Sequence, residues 1–201
     1  MKFKEMQADV QAHLKPSRYR HTMGVVEMAV LLAKCYDCPK KEAKRAALLH
    51  DCAKYLTDEE KIAMCREYGV TITDAELEYP ALLHAKCGAI LAKERYGITD
   101  PGILHAIQVH TTGVPAMNLL DQIIFVSDYI EPNRDQAPHL PQLRALAQED
   151  LEETVYLILK DTVEYLNSRK DQTMDPTTLA AYDYYRKQHE KRHLKNGRHS
   201  V

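Results

Sequence analysis

One signal recurs along this chain: a short polar side chain that accepts backbone N–H groups, set just before a helix-forming run. Thr57-Asp58-Glu59-Glu60 and Thr73-Asp74-Ala75-Glu76 have capping-box spacing, in which threonine and glutamate satisfy each other's backbone donors. Asp100-Pro101 and Asp175-Pro176 join a cap to a first-turn proline, where the missing N–H costs no hydrogen bond. Ser17 and Asp150 open two more helices. Met23, Val26, Val30 and Ala33 fall at helical spacing in the first, and Leu151, Val155, Ile158, Thr162 and Tyr165 in the second. Strand-like alternation is confined to Val70-Thr71-Ile72, too short to count. The expected fold class is all-α.

The same reading predicts helices over Lys2 to Leu14, Ser17 to about Tyr36, and Lys40 to Lys54. Others follow from Thr57 to Gly69, from Pro80 to Tyr96, and from Asp100 to about His110. Asn118 to Ile130 is the most apolar of all, Asn133 to Pro141 reads as a loop, and Asp150 to about Arg169 is long. A helix from Asp175 ends in the basic run Arg186 to Arg198, which suits the negative end of the helix dipole. At 201 residues the chain suits one domain with a real core.

A formal charge of -2 gives no electrostatic case for nucleic acid or a membrane surface. No stretch approaches the roughly 20 apolar residues of a membrane span. Met1 to Val10 mixes charge with apolar residues, unlike a signal peptide. The odd set Cys35, Cys38, Cys52, Cys65 and Cys87 fits reduced thiols and a cytoplasmic protein, and Cys35-x-x-Cys38 lacks the second pair of a zinc site.

The chemistry concentrates in Ala46-Ala47-Leu48-Leu49-His50-Asp51-Cys52-Ala53-Lys54, an apolar run that ends in an imidazole beside a carboxylate. That donor pair suits Fe, Mn and Zn, and carboxylate alone suits Mg. His21 on the preceding helix and Asp128, set in Ile123-Ile124-Phe125-Val126-Ser127, supply two more donors. A carboxylate in such company is seldom left unpaired, and helical bundles build metal sites from facing helices. His84 and His110 sit at a first and a last helical turn. A single histidine is most often an ordinary core or surface residue; the ordered set is what points to metal.

The series His21, His50-Asp51, His84, His110, Asp128 resembles the HD-domain metal phosphohydrolases, whose ligands run H…HD…D. Arg18-Tyr19-Arg20-His21-Thr22, His84-Ala85, His110-Thr111-Thr112-Gly113 and Asp128-Tyr129-Ile130-Glu131-Pro132-Asn133-Arg134 extend the resemblance to the YqeK-type branch, over about Arg18 to Leu179. The resemblance implies a helical HD core at about 17–135 with a C-terminal helical extension at about 140–195. It implies symmetrical hydrolysis of diadenosine tetraphosphate to two ADP with iron as metal, one or two ions, and a homodimer as a possible assembly. The chain departs from that branch at Tyr182-Asp183, where relatives carry Arg-Asn. Lys54 stands where alarmone hydrolases of this class carry an acid, and the Gly-Tyr-Pro signature of cyclic-dinucleotide enzymes is absent.

On this reading His21, His50, Asp51 and Asp128 bind the principal ion, and His84 and His110 bind a second ion or phosphate. A bound water becomes a hydroxide nucleophile for a β-phosphate, and Asp51 or Asp128 takes the proton. Lys54 and Arg18, at helical spacing from Asp51 and His21, are read as phosphate-facing cations, as is Arg134. Thr111 is a phosphate donor, whereas Glu131 is read as touching no ligand. His189 and His193 have helical metal spacing, but no carboxylate partner is evident, so they read as a solvated pair. Tyr182, Tyr184 and Tyr185 read as packing surface. Two other functions share these features: hydrolysis of another nucleotide, and a nucleotide-sensing or RNA-associated adaptor with little turnover.

Overall fold

The computed structural model describes residues 1–169 and 174–197, with side chains to residue 194. Among them are eleven α-helices and no strand: α1 (Phe3–His13), α2 (Pro16–Cys35), α3 (Lys40–Leu49), α4 (Asp58–Glu67), α5 (Asp74–Glu78), α6 (His84–Glu94), α7 (Pro101–Val109), α8 (Leu119–Ile130), α9 (Leu140–Leu146), α10 (Leu151–Ser168) and α11 (Pro176–Gly197). A 3₁₀ turn, Pro80–Leu83, leads into α6. No helix among the described residues is long and apolar enough to cross a membrane.

The caps form as their chemistry requires. Thr57 and Glu60 exchange backbone bonds at 3.2 and 2.7 Å, Thr73 and Glu76 do the same, and Asn118 and Asp121 add a third box. Asp100 accepts from Gly102 and Ile103, Asp150 from Glu153, and Asp175 from Thr177. Four expected boundaries differ. Helix α2 begins at Pro16, ahead of the expected Ser17, because proline's fixed φ and lost donor suit a first turn, and Lys15 precedes it without a side-chain cap. The Thr73 box starts one short helix. The predicted loop gives up Leu140 and Pro141 to α9. Most consequentially, α3 stops at Leu49, and His50 to Tyr55 form successive turns in which the N–H groups of Cys52, Lys54 and Leu56 bond three residues back.

Helix α8 packs against α2, α3, α7 and α10, with Leu120, Ile123, Ile124, Phe125, Val126 and Ile130 all buried. Apolar residues on nearly every side make it a core helix. Ala43, Ala46 and Ala47 are fully buried on α3, and their small side chains let α2 approach closely. Gly88 does the same for α6: a β-carbon there would lie 3.2 Å from the His50 carbonyl. These approaches bring the end of α3, the starts of α2 and α6, and the ends of α7 and α8 to one place.

Candidate metal centre

Helix ends explain how the imidazoles are aimed. A helix leaves its last carbonyls without N–H partners, and His50 and His110 use them, while His84 uses a carbonyl of the 3₁₀ turn before α6. The Nδ1 atoms of His50, His84 and His110 lie 2.7, 2.6 and 2.7 Å from the carbonyls of Ala47, Ala81 and Ile107, each three residues back. A carbonyl accepts only, so each Nδ1 carries the proton and each Nε2 presents a lone pair. His21 lies inside α2, where no carbonyl is free; its Nδ1 instead lies 3.2 Å from Glu131 Oε1.

The four Nε2 atoms converge on two carboxylates. His21 Nε2 is 3.0 Å from Asp128 Oδ1 and 3.9 Å from Asp51 Oδ2, and His50 Nε2 is 3.4 Å from Asp51 Oδ2 and 3.9 Å from Asp128 Oδ1. The other oxygen, Asp51 Oδ1, lies 3.3 Å from His84 Nε2 and 3.7 Å from His110 Nε2. Asp51 thus turns one oxygen to each histidine pair. Donor atoms of His21-His50-Asp51, of His50-His110-Asp128 and of Asp51-His84-His110 lie within 4.8 Å of one another in each group.

These residues fit a metal. Buried Nε2 atoms of His21 and His50 have no hydrogen-bond partner. With Nδ1 protonated, the His21–Asp128 contact sets lone pair against lone pair, an arrangement that a cation between them relieves. The charges agree. Burial opposes ionisation of Asp51, yet His50, His110 and His84 hold its carboxyl well below the usual range. Asp128 is likewise depressed, against burial, by His21, His50 and His110. Burial works against protonation of His50, but Asp51 and Asp128 raise its pKa; burial and His110 together bring His84 down to about 4 despite Asp51.

The cations are arranged around this centre. Arg18 donates to Asp51 Oδ2 at 3.0 Å, and Arg134 donates to the Asp128 carbonyl and to Oδ1 at 3.0 and 3.3 Å. Lys54 does not share a helical face with His50 and Asp51, because α3 has ended; the turn of the chain carries it instead. Its ammonium makes no hydrogen bond among the described residues. Burial lowers its pKa, with Asp51 opposing and Arg18 adding to the fall. A half-buried ammonium without a hydrogen bond is costly unless an anion joins it. The Thr111 hydroxyl stands 3.1 Å from both His84 Nε2 and His110 Nε2. Ser17, Arg18, His21, Glu131, Arg134, Asp135 and Gln136 line a cavity of about 240 Å³ at the mouth.

Sequence reasoning missed Glu131. It is 2% exposed, holds His21 through Oε1, and accepts from Asn133 N and Nδ2 at 2.7 and 3.1 Å through Oε2. Its place three residues after Asp128 was the available signal. Gly24, one turn after His21, makes room for it: a β-carbon there would lie 2.2 Å from Glu131 Oε2. Arg144 was also unsuspected; it donates to the carbonyls of Ile130, Glu131 and Arg134 and so closes the end of α8. The reading of His189 and His193 as lacking a carboxylate is overturned, since Glu153 Oε1 lies 2.7 Å from His189 Nδ1. Tyr185 is buried in the core and Tyr182 stacks on Tyr156, while the end of the basic run, Arg198, lies outside the described residues.

Comparison with known proteins agrees with this geometry. Residues 18–133 match the family described as HD domain. The symmetrical bis(5'-nucleosyl)-tetraphosphatase of Halalkalibacterium halodurans is 42% identical over 174 residues, 87% of this chain and 91% of that protein. The protein of the same name from Bacillus subtilis is 38% identical over 92% of this chain and 97% of its own length. A crystal structure described as a predicted HD superfamily hydrolase involved in NAD metabolism, from Clostridium acetobutylicum, superposes with a TM-score of 0.89 at 35% identity, covering 94% of this chain and 98% of that one. The chain is a member of the HD-domain family, in the branch to which these symmetrical tetraphosphatases belong.

Proposed function

We propose that the protein is a metal-dependent hydrolase that cleaves diadenosine tetraphosphate symmetrically to two ADP. The observation that carries the metal chemistry is the convergence of four imidazole lone pairs on Asp51 and Asp128. The named activity of the H. halodurans and B. subtilis relatives supports the substrate.

His21, His50, Asp51 and Asp128 would hold the principal ion. His84 and His110 would hold a second, with Asp51 offering an oxygen to each. Iron is the first choice for this mixed nitrogen and oxygen set, with Mn, Mg and Zn as alternatives. An ion there supplies Lewis-acid stabilisation of phosphoryl charge and brings the pKa of water toward neutrality.

The chain's own residues do the rest. Arg18, Lys54 and Arg134 receive the polyphosphate, and Thr111 donates to a phosphate oxygen. Asp51 or Asp128 accepts a proton from the attacking water. The water oxygen bonds to one β-phosphorus, the bond from that phosphorus to the central bridging oxygen breaks, and the second ADP departs with that oxygen. ADP is a good leaving group, so no strong general acid is required. Residues 1–201 act as one domain in this account, a cytoplasmic one in keeping with five free cysteines, and a homodimer is its proposed assembly.

The test is to incubate metal-loaded protein with diadenosine tetraphosphate and resolve the products. ADP alone is expected. ATP plus AMP would refute symmetrical cleavage, and tight binding without turnover would favour a nucleotide-sensing adaptor.

A further inference from the structure

We propose a second metal site, independent of the catalytic centre, formed by Glu153 of α10 with His189 and His193 of α11. It would take one divalent ion of the zinc class and act as a clip between the two helices. One donor atom from each residue lies within 4.8 Å of the other two. The histidines are four residues apart on one helix, so their rings share a face, with centroids 4.3 Å apart. Glu153 reaches them from the first turn of α10, at 2.7 Å from His189 Nδ1.

The surroundings hold this group in position. The Tyr156 ring stacks on His189 at 4.3 Å, which fixes the plane of that imidazole. Arg192, beside His193, binds Asp150 and Glu152, so those two neighbouring carboxylates are already engaged, while Glu153 faces the histidines. Two neutral imidazoles and one carboxylate form a three-ligand set on which zinc completes its shell with water.

His189-Glu190-Lys191-Arg192-His193 also spells the H-E-x-x-H pattern, whose glutamate serves as general base in metalloproteases. Here Glu190 is bound at 2.8 Å by Arg186, one turn back along α11. The Glu190 carboxylate is not among the donor atoms that meet at Glu153, His189 and His193, so we assign the site as a structural clip. A β-carbon on Gly113, beside the His110-Thr111-Thr112 turn, would lie 3.5 Å from Ala181 of the same helix, so α11 runs close behind the catalytic turn.

The test compares the whole protein with His193→Ala, whose side chain is exposed and whose loss leaves the core intact. Each is dialysed against buffered Zn²⁺ and its bound metal counted. The wild type should hold one more ion per chain than His193→Ala, and Zn²⁺ should raise the unfolding temperature of the wild type more than that of the variant. Glu153→Gln should bind this ion at least about tenfold more weakly. His50→Ala, which alters only the other site, should leave the difference of one ion unchanged. Equal zinc content in the wild type and His193→Ala would overturn the proposal, as would loss of the difference in His50→Ala.

Discussion

Replacing Glu131 by glutamine changes one charge and almost no volume, so its effect isolates the role of the carboxylate behind His21. Oε1 accepts from His21 Nδ1, and Oε2 accepts from Asn133 N at 2.7 Å and from Nδ2 at 3.1 Å. An amide has a single acceptor end, so it meets only one of these demands. With its oxygen on His21, its NH₂ faces the Asn133 N–H, donor against donor. With its oxygen on Asn133, its NH₂ faces Nδ1, which must then accept. His21 would be forced into the other tautomer, with a proton on Nε2 where the metal's lone pair is needed. Either outcome weakens the ion's hold by about 10- to 100-fold, the usual effect of losing a partner behind a ligating histidine. In free energy this is about 1.4 to 2.8 kcal/mol. Metal affinity measured by chelator competition, with kcat followed at saturating metal, reads the effect directly. Glu131→Gln with wild-type affinity would show that the carboxylate does not set the His21 tautomer.

Three further outcomes follow from the same geometry. Gly24→Ala puts a β-carbon 2.2 Å from Glu131 Oε2, so it should lower stability in urea by about 1–3 kcal/mol and weaken metal binding together; a neutral result would mean that the Glu131 pocket is roomy. Lys54→Ala should cut kcat by about 100-fold or more while the metal stays bound, and an unchanged rate would return Lys54 to the solvent. Asp9 accepts from Tyr96 at 2.7 Å and Arg95 at 2.6 Å, and although burial opposes it, these bonds depress its pKa below the ordinary 3.8. A depressed carboxylate stabilises above its unfolded pKa and loses that contribution as pH falls. The advantage of wild type over Asp9→Asn in urea, about 1 kcal/mol at pH 6, should therefore shrink as the pH is lowered through about 4 toward 3; a gap independent of pH would contradict the assignment.

The parts of this protein that were legible in its sequence are those decided within one turn of a helix. Thr57, Thr73, Asp100 and Asp150 cap helices because donor and acceptor lie two or three residues apart. His50, His84 and His110 stood out as helix-boundary histidines, and the carbonyl that orients each is three residues away. What stayed hidden depends on chain ends that meet only in the fold. Glu131 lies 110 residues from His21, and Glu153 lies 36 from His189. Periodicity also ran past the end of α3, because apolar Cys52 and Ala53 continue the pattern after the hydrogen bonding has changed to turns. Lys54 keeps its place near Asp51 for a reason other than the helical spacing that first pointed to it.

The most direct test of the account is the rate of ADP formation from diadenosine tetraphosphate, measured while metal is titrated into chelator-stripped protein and bound metal is counted in parallel. The account predicts no turnover in the stripped protein and a rate that rises in proportion to occupancy of the His21, His50, Asp51 and Asp128 site. It further predicts that His50→Ala will lose metal and rate together. Full activity in the stripped protein, or in His50→Ala without metal, would contradict it.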